Sequence, residues 1–268
     1  MRTASLPMYF LPEMAEANAA FWTELHARLV RKGIDTSDLS FDHSRRPVPD
    51  GIGPEILFSQ ICGYPLFKAF RKQGRMLASP CYDFPGCEGP HHRAFFMVRA
   101  DDPGQRLEDF RGRVFGCNSL LSNSGMNLPR LSLAKIAGGK PFFASVVMTG
   151  GHMPSLDKLR DGSIDLCSID NVTWGFLKKY RPAAAAAFRV LAETVDSPSL
   201  PFVTSSTTSD RDASLIADAL FELFSDPATV GIRDALQLPA IAVPDVAAYE
   251  RLARYEQEAV ELDYPELL

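Results

Sequence analysis

No apolar run in the sequence approaches the roughly 18 residues of a membrane-spanning helix, so no segment is expected to insert into a bilayer. Excess charge is also scarce. The 28 basic residues are outnumbered by 33 acidic ones, for a net charge of −5. A nucleic-acid partner is therefore not expected, because backbone phosphates are held by clustered positive charge. Cysteine is sparse: five, at 62, 81, 87, 117 and 167, which cannot all pair within one chain. Such a chain is held by its cores rather than by bridges, and the spacing leaves Cys62 and Cys87 open between a bridge and two free thiols. Residues 1–9 carry no apolar signal-peptide core. The expected compartment is the periplasm if a leader has been removed, and otherwise the cytoplasm.

Several catalytic signatures are missing as well. Gly139-Lys140 lacks the upstream glycine and following Ser/Thr of a phosphate-binding P-loop, and neither H-E-x-x-H nor G-x-S-x-G occurs. Ser132 and Lys135 match S-x-x-K without its K-T-G partner. Cys81, Cys87, His91 and His92 follow no standard zinc spacing, so this stretch reads as a turn with buried thiols. No metal, no cofactor and no paired nucleophile and base are expected, and the chain does not read as an enzyme.

What is present is ordinary globular material, 46% apolar and 23% charged, long enough at 268 residues for one or two domains. Short β-type runs alternate with helical patterns. Strands are expected over 4–8, 55–59, 75–79, 94–99, 114–117, 142–149, 164–169, 189–193 and 201–205. Helices are expected over 13–32, 64–71, 127–137, 155–160, 171–180, 210–224 and 246–260. This rhythm predicts an α/β fold whose mixed, mainly parallel sheets are flanked by helices. The helix over 13–32 is the best supported, since Phe21, Trp22, Leu25 and Leu29 recur at helical spacing and Gly33 stops it. Breaks at Ala100–Pro103 and Ser197–Pro201 bracket a small domain. They predict two lobes, 1–98 with 204–268 and 99–203, joined by hinge strands near 97–100 and 201–205. Ligands of such proteins bind in a cleft between lobes.

Three polar strand-to-helix junctions fall in the middle lobe. Ser122, Asn123, Ser124 and Gly125 lead into a helix, where free backbone N–H groups suit either an anion or ordinary capping. Gly150-Gly151-His152 offers close backbone approach and an imidazole, or simply an unspecialised loop. Near its ordinary pKa of about 6.5, His152 would strengthen anion binding from pH 8 toward pH 6. Asp170 ends another strand, where it serves a ligand or caps the next helix. In the outer lobe Tyr64 and Tyr82 follow strands and suit either ligand closure or rim packing.

These pieces occur in a recognisable order: Ser-Leu-Pro-Met-Tyr at 5–9, Ser-Gln-Ile-Cys-Gly-Tyr-Pro-Leu at 59–66, Pro-Cys-Tyr at 80–82 and Gly-Cys-Glu-Gly at 86–89. They continue with Leu-Glu-Asp-Phe-Arg-Gly at 107–112, Asn-Ser-Gly at 123–125, Gly-Gly-His at 150–152 and Ile-Asp-Asn-Val-Thr-Trp at 169–174. Over residues 4–205 the chain resembles the phosphate, phosphite and phosphonate substrate-binding proteins of ABC transporters, which have the type 2 periplasmic-binding fold. The resemblance implies an oxyanion held by Ser122, Asn123, Ser124, Gly125 and His152, with Tyr9, Tyr64 and Tyr82 from the opposite lobe. Asp170 would meet a ligand hydroxyl or amine. The implied partners are a small anionic ligand and an ABC permease. The chain departs from the family's pattern at His92 and Ala94, where a Tyr and a Ser are usual, and at Val203, near which alkylphosphonate binders place an acid. The alternative is a cytosolic sensor, or a biosynthetic enzyme on the same fold with His152 and Asp170 as acid and base.

Overall fold

The structure, a computed structural model, describes residues 1–42, 44 and 51–268. The chain forms two compact units: Met1–His91 with Pro198–Val246, and His92–Ser197 with Ala247–Leu268.

The first unit is built on a six-stranded sheet in the order Ala240–Ala242, Gly74–Cys81, Phe202–Ser205, Ile56–Gln60, Arg2–Ala4, Leu39–Phe41. Arg2–Ala4 runs parallel to both neighbours, whereas Phe202–Ser205 is antiparallel to both of its own. The first strand ends at Ala4 rather than continuing through Met8, because Pro7 has no N–H for the ladder and the chain turns at Tyr9. The helix Ala15–Arg31 forms as its periodicity predicts and stops at Gly33, whose φ of +75° glycine adopts without strain. Its buried face is Phe21, Leu25 and Leu29, with Phe21 stacked on Phe202 at 6.2 Å. Each such side chain contributes about 1.5–3 kcal/mol on burial. Arg28 on the same helix is 4% exposed and holds Asp226 at 2.6 Å, tying it to the end of the helix Asp210–Ser225.

The second unit carries a five-stranded sheet in the order Phe188–Glu193, Ala94–Arg99, Leu166–Asp170, Val114–Cys117, Ser145–Met148. Val114–Cys117 is parallel to both neighbours and Ala94–Arg99 antiparallel to both. Both sheets are thus more mixed than the strand–helix rhythm implies, because Phe202–Ser205 and Ala94–Arg99 each enter antiparallel to both neighbours after long connections. Phe95, Met97, Leu156, Leu159, Ile164, Ile169 and Leu177 form one core between this sheet and its helices.

The boundaries differ from the expected ones. The expected hinge strands lie wholly inside single units, Ala94–Arg99 in the second and Phe202–Ser205 in the first. The chain instead passes between units at His91/His92, Ser197/Pro198 and Val246/Ala247. Residues 247–268, expected with the first lobe, belong to the second unit. Asn127 Nδ2 donates to the Leu252 carbonyl at 3.0 Å, Arg130 to the Pro265 carbonyl at 3.1 Å, and Tyr255 OH to the Asp196 carbonyl at 3.2 Å.

Candidate anion site

The segment after Val114–Cys117 enters its helix by an unusual route. Asn123–Asn127 winds as one π-helical turn, with the Asn127 N–H reaching back to the Ser122 carbonyl at 3.1 Å, and only then does the α-helix Leu128–Ala137 begin. The helical winding therefore starts four residues before the expected Asn127. Such turns are rare and recur at functional sites. Gly125 is closely packed here: a Cβ would stand 1.8 Å from Asn118 Oδ1, so the Asn118 amide would have to move.

Each predicted residue of the loop has a definite role. Ser122 is the cap, its Oγ accepting from the Gly125 N–H at 2.9 Å. Asn123 is a tie: its Nδ2 donates to Ser197 Oγ at 2.7 Å and its Oδ1 accepts from Asn127 at 3.2 Å. Ser124 is the meeting point, with its Oγ 3.0 Å from His152 Nε2 and its carbonyl accepting from Ser168 Oγ at 2.7 Å. All three are buried, Ser124 to 2% exposure. Three strand ends thus converge on one loop, in which Ser122 takes the capping role.

His152 opens the helix His152–Arg160, placed by Gly150 at φ +87°. Burial lowers its pKa; the Asp170 carboxylate and the Ser168 backbone oppose this shift, and His92 adds to it. His152 is consequently neutral near pH 7. The protonation on which the expected strengthening from pH 8 to pH 6 relied is moved by burial to lower pH, since a desolvated imidazole resists the proton.

Asp170 serves two masters. Its Oδ1 accepts from the N–H groups of Val172 at 2.8 Å and Thr173 at 3.4 Å, capping the helix Asn171–Tyr180. Its Oδ2 stands 2.8 Å from His92 Nδ1. Burial pushes this carboxyl up, but His92, His152 and the Val172 N–H together hold it below the usual range. His92, which the motif reading considered only as a metal ligand and a family departure, is 1% exposed. The antiparallel register pairing Ala94 with Asp170 brings it there.

In the first unit the tyrosines are arranged differently. Tyr9 has a φ of +63°, a left-handed conformation that costs a bulky residue on the order of 1–3 kcal/mol and recurs at ligand sites. Its ring meets Tyr82 edge-on at 5.2 Å, and Tyr82 OH accepts from Gln60 Nε2 at 3.3 Å. Tyr64, in the short helix Gly63–Lys68, is 2% exposed.

No disulfide joins the five cysteines, so Cys62 and Cys87 form no bridge. Burial pushes the Cys117 thiol up to about 11 and raises that of Cys167 as well. Among the described residues no group of three or more His, Cys, Asp or Glu is placed to hold a metal ion, and no helix is long and apolar enough to cross a membrane.

The architecture is that of the type 2 periplasmic binding proteins. It matches the binding-protein component of an ABC phosphonate transporter from Pseudomonas aeruginosa with a TM-score of 0.78 at 15% identity, covering 98% of this chain and 87% of that one. PhnD1 from Prochlorococcus marinus in complex with methylphosphonate matches at 0.71 and 12% identity, over 97% and 98% of the two chains. A Xanthomonas citri protein bound to ATP matches at 0.69 and 16% identity, over 99% and 100%. No curated protein matches the chain in sequence. The family model for the ABC-transporter phosphonate periplasmic substrate-binding proteins matches residues 59–249, and the chain belongs to that family.

Proposed function

We propose that this chain is the periplasmic ligand-capturing component of an ABC uptake system, and that it binds a small phosphate- or phosphonate-like oxyanion without transforming it. The observation that carries this reading is the buried contact of Ser124 Oγ with His152 Nε2 at 3.0 Å, at a π-helical turn that begins a helix. A hydroxyl, an imidazole and the amides of a helix start are oriented donors for an anion, and the helix dipole adds about 0.3–2 kcal/mol. Charge-assisted hydrogen bonds add more. The π-turn is held by hydrogen bonds of Ser122, Asn123 and Asn127, and a turn tied in this way lowers the ordering entropy spent on binding.

Tyr9, Tyr64 and Tyr82 are further proposed ligand contacts, supported by the strained backbone of Tyr9. An ABC permease is the proposed partner, which the family supports. Methylphosphonate bound to PhnD1 makes it the first ligand to test. Calorimetry of the full chain with methylphosphonate, inorganic phosphate and phosphite should give at least one saturable isotherm, with the ligand recovered intact. Absence of binding to all three would refute the reading, and a converted ligand would refute its non-enzymatic part.

A further inference from the structure

Resting on the oxyanion reading above, one buried cation behind the π-turn acts on binding from a distance. Arg130 lies on the helix Leu128–Ala137, just past the turn, and is 5% exposed. Its Nη2 donates to Asn127 Oδ1 at 3.1 Å and its Nη1 to the Pro265 carbonyl at 3.1 Å, with Glu256 Oε1 3.8 Å away. Its Nε is buried and has no hydrogen-bond partner among the described residues. A guanidinium held in this way is a weak stabiliser, since desolvation offsets much of what its contacts return. What it supplies is direction.

An arginine only donates, and a backbone carbonyl only accepts. Between the two, the Asn127 amide has one orientation. Its Oδ1 faces Arg130, and its Nδ2 donates to the Leu252 carbonyl at 3.0 Å and to Asn123 Oδ1 at 3.2 Å. That orients Asn123 in turn, whose Nδ2 is left to donate to Ser197 Oγ at 2.7 Å. Asn123 and Asn127 are the first and last residues of the π-turn, and both are buried. The relay rests on one further element at both ends. The helix Val246–Glu261 carries Leu252, and its Tyr255 hydroxyl donates to the carbonyl of Asp196, the neighbour of Ser197.

We infer that Arg130 is a positioning residue for the anion turn, which it anchors through Asn127 and Asn123 to the C-terminal segment Ala247–Leu268. It sets ligand affinity without touching the ligand. The passage of the chain at Val246/Ala247, which delivers that segment to the second unit, thereby serves the site. Couplings carried through packed polar side chains in this way alter affinity about three- to thirty-fold.

The test is calorimetry of the full chain at pH 7, with whichever of methylphosphonate, inorganic phosphate and phosphite the parent binds most tightly. Arg130→Met, which keeps an unbranched side chain and removes its donors, should weaken binding about three- to thirty-fold. Asn123→Ala cuts the relay at the turn. Adding Arg130→Met to Asn123→Ala should therefore weaken binding by no more than about a further two-fold. Hydrogen exchange, read by mass spectrometry, should quicken across Asn123–Asn127 in Arg130→Met and stay at the parent's rate across Val114–Cys117. General loosening of the unit would quicken both. Where Arg130→Met does not fold, Arg130→Lys takes its place with the same expectations, because one ammonium cannot hold Asn127 and Pro265 together as the fork does. Parent affinity in the folded variant, full additivity in the double variant, or unchanged exchange across the turn would overturn this inference and leave the oxyanion reading intact. Parent protein that binds none of the three ligands would overturn both.

Discussion

The candidate residues of the second unit are linked by polar contacts, whereas those of the first lean on one another through rings. Ser122, Asn123, Ser124, His152 and Ser168 form a run of hydrogen bonds between 2.7 and 3.2 Å that includes Ser197 and Asn127. Tyr9 and Tyr82 instead meet edge-to-face at 5.2 Å, with one hydrogen bond from Gln60. Directional donors fix an oxyanion in place, because each lost donor strands a buried charge. Ring contacts supply area and shape, and an aromatic pair adds about 0.5–1.5 kcal/mol. On the proposed function, the candidate residues of the second unit should therefore carry more of the anion's binding energy than the tyrosines of the first.

That division can be broken in several places. The largest effect should come from Gly125→Ala, because the new methyl would meet Asn118 Oδ1 at 1.8 Å and displace either the Asn118 amide or the π-turn beside it. Affinity for methylphosphonate, measured by calorimetry, should fall by more than about a hundred-fold, the loss of two or more buried hydrogen bonds. Retained affinity would show that the turn does not shape the site.

A smaller, signed effect concerns pH. Burial lowers the folded-state pKa of His152 below its unfolded value of 6.5, so the unfolded chain takes up the proton first. The stability this neutral imidazole contributes is complete above pH 6.5 and is lost as pH falls below it. Melting temperature should therefore drop between pH 7 and pH 5 less steeply in His152→Gln than in the parent. Parallel profiles would place the acid sensitivity elsewhere.

The cysteines offer the mildest comparison. Cys62, Cys81 and Cys87 in the first unit are half-buried, whereas Cys117 and Cys167 in the second are buried. Burial holds the Cys117 thiol near 11 and raises Cys167, so neither supplies thiolate at neutral pH. A thiol reagent should label native protein only in the first unit, and all five cysteines after unfolding without reductant. Native labelling of Cys117 or Cys167, read by mass spectrometry, would show that the second unit opens readily.

How much of this was legible in the chain depended on whether a signal was local. Strands over 94–99 and 114–117 and the helix over 171–180 lie where their residue patterns place them, since apolar runs and capping by Asp170 act within one element. Leu39–Phe41 and Ala240–Ala242 went unseen: they are three-residue strands at the two sheet edges, too short to show alternation. The last helix was legible as an amphipathic pattern. Which unit buries its Tyr249, Leu252 and Tyr255 face is a tertiary fact that periodicity does not carry. In the site, Ser124 and His152 stood out because strand-to-helix junctions concentrate free donors. The approach of His92 to Asp170 was hidden because it depends on the register of Ala94 against Asp170, 76 positions apart (170 − 94).

The most direct measurement compares the two units on one ligand, methylphosphonate, by calorimetry of Ser124→Ala and Tyr82→Phe. The Ser124→Ala change strips a hydroxyl that contacts His152 at 3.0 Å, while Tyr82→Phe removes the acceptor for Gln60 at 3.3 Å and leaves the ring against Tyr9. The account predicts a ten- to hundred-fold loss of affinity in Ser124→Ala and no more than about a three-fold loss in Tyr82→Phe. Unchanged affinity in Ser124→Ala, or a larger loss in Tyr82→Phe, would contradict the claim that the second unit holds the anion.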